Sequence, residues 1–249
     1  MRYLFLLLAL LAPLVGTAQT VPGAVDPESR AISVVVNPSL RHTRQLPTRS
    51  LRAARKAMIA GREVSDANLA RLGDHNDGLA AWRYVKRLLA RDPVAHASDI
   101  AFYSAVAAGT GRGYALDDMI AAMHHLDPVE EPWTRRTRLI RVLYAHAWAG
   151  NTMAMDAVIA FNGEGTLFGP MSQRTLDRVL HAAERGDGRI ELQLAMKLLN
   201  ATGATRLDLE TAMGYLNTAV ASPDLTISTT SKNLIPLLVG RLAADVASN

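Results

Sequence analysis

The chain reads as an all-α protein, an α-α superhelix of about four degenerate helix pairs with capping helices. Three observations carry that reading. A small-residue phrase returns at a nearly fixed interval. From residue 47 onward, apolar residues recur at three- and four-residue spacing. In the same stretch, no segment alternates with period two for long enough to make a strand. The phrase is Ala107-Ala108-x-x-Gly111-x-x-x-Ala115, then Ala147-x-x-Gly150-x-x-x-Ala154, then Ala182-Ala183-x-x-Gly186-x-x-x-Ile190. Gly111, Gly150 and Gly186 stand 39 and 36 residues apart, in the range of stacked helical hairpins. Each glycine is expected to end a helix in the left-handed conformation. The alanines are expected to let neighbouring helices approach. A single helix pair cannot bury its apolar face, whereas a stack of them can.

The first element is a processing signal. Arg2 supplies one positive charge, and residues 3–15 are apolar apart from Pro13. Gly16-Thr17-Ala18 then predicts cleavage after Ala18. The apolar run is about 13 residues, short of the ~20 that span a bilayer. Residues 1–18 are therefore expected as a signal peptide, with nothing transmembrane after cleavage. Export predicts a periplasmic location, with secretion as the alternative. The chain contains no cysteine, which excludes disulfides, thiolate metal sites and a lipid-anchored amino terminus.

Residues 19–46 are expected as a flexible basic arm. Pro22, Pro27 and Pro38 interrupt it, and its main apolar stretch, residues 31–36, suits an extended strand. Between Arg30 and Arg62 there is no acidic residue, while Arg41, Arg44, Arg49, Arg52, Arg55 and Lys56 intervene. In an exported protein this asymmetry points to an anionic envelope polymer, lipid or acidic protein surface, and away from nucleic acid.

Residues 47–249 are expected as the helical-repeat domain. A helix over 47–60 is followed by one that Ser65 caps, with Asp66 in its first turn, ending at Gly73. Leu79, Trp82, Val85, Leu88 and Leu89 make one apolar stripe, and Pro93 separates it from a partner helix over 98–108. Helices over 114–126 and 133–149, then 153–161 and 172–184, then 190–199 and 209–221 complete the pairs. A terminal helix is expected over 231–247, with Pro236 in its first turn or kinking it.

These units resemble Sel-one-like repeats, longer relatives of tetratricopeptide repeats. The match is best at Gly203, Asp208, Ala212, Tyr215, Leu216 and Ala219. The first unit matches at Tyr103, Ala107, Ala108 and Gly111, but has Arg91-Asp92-Pro93 where the loop glycine would stand. The third has Gly163, Gly165, Ala182, Ala183 and Gly186, with Arg178 in place of the aromatic. The second is the most degenerate, with His146 in place of an alanine. The resemblance covers roughly residues 73–223. It implies an adaptor or scaffold that holds ligands on a concave face, and it carries over no catalytic residue.

Little in the sequence argues for chemistry. His124 and His125 are adjacent, so on a helix they point about 100° apart and do not readily share an ion. Gly109-Thr110-Gly111-Arg112-Gly113 follows a helix rather than a strand, which argues against a phosphate loop. Glu164 lies between two glycines with no evident second carboxylate. No catalytic residue, metal or cofactor is expected. Arg135, Arg136, Arg138 and Arg141 crowd one helix behind Trp133. Arg135 and Arg138 share a face there and Arg141 continues along it with drift, which makes Trp133, Arg135, Arg138 and Arg141 the candidate binding residues. The expected function is that of an exported, non-enzymatic protein-binding adaptor or scaffold. A glycan-acting envelope enzyme using Glu164 and a structural subunit of an envelope complex are the alternatives.

Overall fold

A computed structural model describes residues 27–184 and 186–247. The expected signal peptide, 1–18, and the first part of the arm, 19–26, lie outside the described residues. Regular structure in the rest is helical. After α1 (Pro27–Ala31) and a single 3-10 turn (Thr43–Gln45) come α2 (Arg49–Ile59), α3 (Asp66–Asp74), α4 (Gly78–Leu89) and α5 (Ala97–Gly109). They are followed by α6 (Ala115–Met123), α7 (Trp133–Trp148), α8 (Thr152–Phe161) and α9 (Gln173–Ala183). The chain closes with α10 (Arg189–Asn200), α11 (Arg206–Val220) and α12 (Leu225–Ala247).

Most helices from α2 onward pack on the next in the chain, and several also on the one beyond it. α5 meets α3, α4, α6 and α7, while α10 meets α8, α9, α11 and α12. That neighbour-to-neighbour pattern is a solenoid, the predicted class. One core runs from α4 to α10 through Val85, Ile100, Met119, Leu143, Val158 and Val179. Leu51, Met58 and Leu72 form a cluster at the amino-terminal end, and Leu209, Leu216 and Leu238 one at the other.

Three turns close in the same way. The Gly111 N–H donates to Ala108 O at 2.9 Å and the Arg112 N–H to Ala107 O at 3.1 Å. The Gly150 N–H donates to Ala147 O and the Asn151 N–H to His146 O. Gly111 and Gly150 have φ of +95° and +98°, the left-handed residue of a Schellman closure. The third turn precedes α4. There the Asn76 N–H donates to Gly73 O, the Asp77 N–H donates to Leu72 O, and Asn76 has φ +59°. The phrase therefore has an earlier copy, Leu72-Gly73-x-x-Asn76-x-x-x-Ala80. Ala80, Ala115 and Ala154, the last residues of the three copies, are all fully buried.

Several boundaries differ from expectation. Gly73 sits inside α3 instead of ending it, because Tyr103 crosses there. A Cβ on Gly73 would lie 2.8 Å from Tyr103 Cδ1. Ser65 holds the N-cap position of α3, yet its side chain makes no cap bond. In the phrase's last expected copy, the left-handed residue packed against a neighbour is Gly188 (φ +84°), two beyond Gly186. A Cβ there would stand 3.2 Å from Ala219 Cα. α12 starts six residues early, since Asp224 Oδ1 accepts from the Thr226 and Ile227 N–H groups. Pro236 then falls in the middle of that helix.

The largest correction concerns the arm. Its described part, residues 27–46, is not a flexible tail but a strap across the row of turns. Ser29 Oγ meets Thr152 Oγ1 at 3.0 Å, and Asn151 Nδ2 donates to Ile32 O at 2.9 Å. The Val36 and Asn37 N–H groups both donate to Gly109 O, and Val35 bridges antiparallel to Thr110. The Leu40 N–H donates to Asn76 O at 3.0 Å. Ile32, Val34 and Val36 are half-buried while Ala31, Ser33 and Val35 are exposed, the alternation of an extended segment. The turns admit it because they lack side chains. A Cβ on Gly113 would come 2.7 Å from Ser33 Cβ, and one on Gly111 3.2 Å from Val35 Cγ2. Arg55 locks the far end, donating to Leu40 O, Thr43 Oγ1 and Asp77 Oδ2.

Candidate functional site

A stack of helical hairpins puts alternate turns on opposite edges. The strap covers the edge that carries Asn76, Gly111 and Gly150. The other edge holds the α4–α5 and α6–α7 turns, and these share a tripeptide, Asp92-Pro93-Val94 and Asp127-Pro128-Val129. Asp92 Oδ1 accepts from the Val94 and Ala95 N–H groups, both at 3.0 Å. Asp127 Oδ1 accepts from the Val129 and Glu130 N–H groups at 2.7 and 3.4 Å. Each aspartate thus satisfies its own turn and leaves the valine outward. Val94 is 60% exposed and Val129 90%.

Trp133 opens α7 beside the second of these turns and is 64% exposed. The Arg136 guanidinium lies 5.4 Å from the centre of its ring, a cation–π distance. Glu131 is buried, and neither its Oε1 nor Arg136 Nε has a hydrogen-bond partner among the described residues. The α5 and α7 ends are held side by side. Arg135 donates to Asp99 Oδ1 at 2.8 Å and Ser98 Oγ at 2.7 Å, which sets the two Asp-Pro-Val turns on one surface.

The structure sorts the four expected binding residues. Trp133 and Arg141 are exposed. Arg135 and Arg138 face the same way, as their spacing predicts, but that face packs inward. Both guanidiniums lie over the Phe102 ring, at 4.9 and 5.2 Å. Arg138 also donates to Asn76 Oδ1 at 3.0 Å. Burial, then the nearby Arg141, lowers the pKa of Arg138 from its ordinary value. Arg135 and Arg138 thus tie α7 to α5 and to the turn before α4, and only Trp133 and Arg141 are free to meet a partner.

The residues weighed for chemistry are scattered. His124 caps α6 and packs on Phe161 with ring centres 4.7 Å apart; burial and then His125 lower its pKa. His146 is fully buried, with Nδ1 2.9 Å from Val142 O and Nε2 unpartnered among the described residues. Burial depresses its pKa, which favours the neutral ring. Glu164 is exposed on the α8–α9 loop, and no hydrogen bond or ion pair holds it among the described residues. Gly109 to Gly113 is the α5–α6 turn beneath the strap. Among the described residues no three histidines or carboxylates converge on a metal-sized site, and no helix is long and apolar enough to cross a membrane. No family model, curated protein or solved structure matches the chain.

Sequence reasoning missed Val94 and Val129. Their signal was a second repeated phrase, Asp-Pro-Val, whose copies stand 35 residues apart, the same interval as Asn76 to Gly111. A proline marks each of these turns in the sequence, whereas the exposure of the valine after it depends on how the aspartate folds the turn.

Proposed function

We propose that the chain is an exported bacterial repeat protein of the Sel-one-like, tetratricopeptide-related kind. In this reading it acts as a non-enzymatic protein-binding adaptor in the periplasm. The docking site is the open turn edge, with Trp133 and Val129 at its centre and Val94 on the neighbouring turn, while Arg141 stands about two turns further along α7. One observation carries the reading: two equivalent turns on adjoining hairpins each hold an apolar side chain in water, beside an exposed tryptophan backed by an arginine. Tryptophan and arginine are the side chains most enriched where interfaces concentrate their binding energy.

The test is capture from envelope extract on immobilised protein, comparing the native chain with Trp133→Ala combined with Val129→Ser. Arg174→Glu, an exposed charge on α9, serves as the control. The adaptor reading expects the double variant to lose the proteins that the native chain and the control both retain. An unchanged set on the double variant would refute this docking edge.

A further inference from the structure

Five described arginines are ion-paired with aspartates: Arg55 with Asp77, Arg87 and Arg91 with Asp66, Arg135 with Asp99, Arg189 with Asp156. The cations on and beside the outer face of α2 are not ion-paired, and they stand together. Arg44, Arg49 and Lys56 are exposed, and none makes an ion pair or side-chain hydrogen bond among the described residues. Arg52 spends only its Nε, on Thr48 O at 3.2 Å. Arg49 and Lys56 are seven apart, so they stand one above the other on the face opposite Leu51 and Met58. Arg52 lies on the flank of α2 shared with Arg55. Through Arg55, residues 40–43 are fastened there, which brings Arg44 to the same side.

The nearby acids do not cancel this charge. Asp66 and Asp77 are already paired, and Glu63 lies with Arg62 at the far end of the helix, in a separate depression. Ile59, 61% exposed, falls on the flank of Arg52. A hollow between the cations is shallow and lined by Arg49, Arg52, Ala53 and Lys56.

We infer that the outer face of α2 docks end-on against a bilayer rich in anionic phospholipid, with the headgroup phosphates meeting Arg44, Arg49, Arg52 and Lys56 and Ile59 entering the interface. A ridge of cations on long stems, with an apolar shoulder and no shaped pocket, fits a fluid layer of mobile phosphates better than a structured acidic protein surface. α2 ends the stack, and among the described residues no helix stands in front of it. The strap fixes the site, because it makes residues 40–46 part of the end-cap. This inference is independent of the docking edge at Trp133, which lies on other helices.

The experiment is co-sedimentation with vesicles of phosphatidylglycerol and phosphatidylcholine, or of phosphatidylcholine alone. The chain starts at Gln19, which leaves out the apolar run and keeps every described residue. Binding is expected only with the anionic lipid, and to fall as salt rises. Each neutralised contact is worth about fivefold, so Arg49→Ser, Arg52→Ser and Lys56→Ser together should weaken binding about a hundredfold. Ile59→Ser should weaken it less, and Trp133→Ala should leave it unchanged. An unaltered urea midpoint confirms that the triple variant folds, because all three side chains point away from the core. Absence of binding to anionic vesicles, equal binding by a folded triple variant, or capture by soluble dextran sulfate without vesicle binding would each overturn the inference.

Discussion

The two halves of this stack close their turns differently. In the amino-terminal half, the turns at Asn76, Gly111 and Gly150 lie beneath one extended segment that hydrogen-bonds to each of them or to a residue beside it. In the carboxy-terminal half, single side chains do that work. Lys197 Nζ reaches Ile159 O at 2.8 Å at the end of α8, Thr205 and Asp208 cap α11 reciprocally, and Arg189 pairs with Asp156. Small residues serve both halves for different reasons. At Gly111 the missing Cβ admits a strand, and at Gly188 it admits a helix.

The largest expected effect breaks the strapped half. Arg55→Ala leaves the Asp77 carboxylate buried without its cation and unties residues 40–43. A loss of about 3 kcal/mol in urea unfolding is expected, as for other broken buried pairs. The next tests what the left-handed turns carry. Gly203 has φ +76° with nothing near it, so Gly203→Ala should cost about 1 kcal/mol for the backbone alone. Gly111→Ala should cost more, because its methyl also meets Val35.

A smaller effect separates the halves by pH. Burial lowers the Lys197 pKa to about 8 from an ordinary 10.5. Below about 8 both folded and unfolded chains hold the proton, and the fold bears the full cost of burying it. Above 8 the unfolded chain binds more protons, so this residue makes stability rise with pH toward 10.5. Lys197→Met should flatten that rise between pH 8 and 9.5. The interval stops short of the tyrosines. Burial raises their folded pKa values, and their contribution is lost as pH climbs past 10. The smallest effect is at the strap's outer face, where Val35 is 69% exposed. Val35→Ser should move the midpoint by less than about 0.5 kcal/mol.

The helices and their order were legible because apolar spacing and proline breaks are local signals. So were Gly111 and Gly150, since a left-handed helix end selects glycine. Asn76 was hidden because asparagine is only the second choice there, and Gly73 misled because its use is a tertiary crossing by Tyr103. The strap was illegible for a stronger reason. Residues 31–36 read as strand-forming, but their partner is the bare backbone of turns far along the chain. Of the candidate site, Trp133 was readable from composition. The inward turn of Arg135 and Arg138 was not, since it depends on Phe102 on another helix.

The strap is most directly tested by amide hydrogen exchange at Val36 and Asn37. If their N–H groups donate to Gly109 O in solution, both exchange slowly, and both lose protection together in Arg55→Ala while amides of α11 keep theirs. Exchange of Val36 and Asn37 at the rate of an unstructured peptide in the native chain would contradict the account.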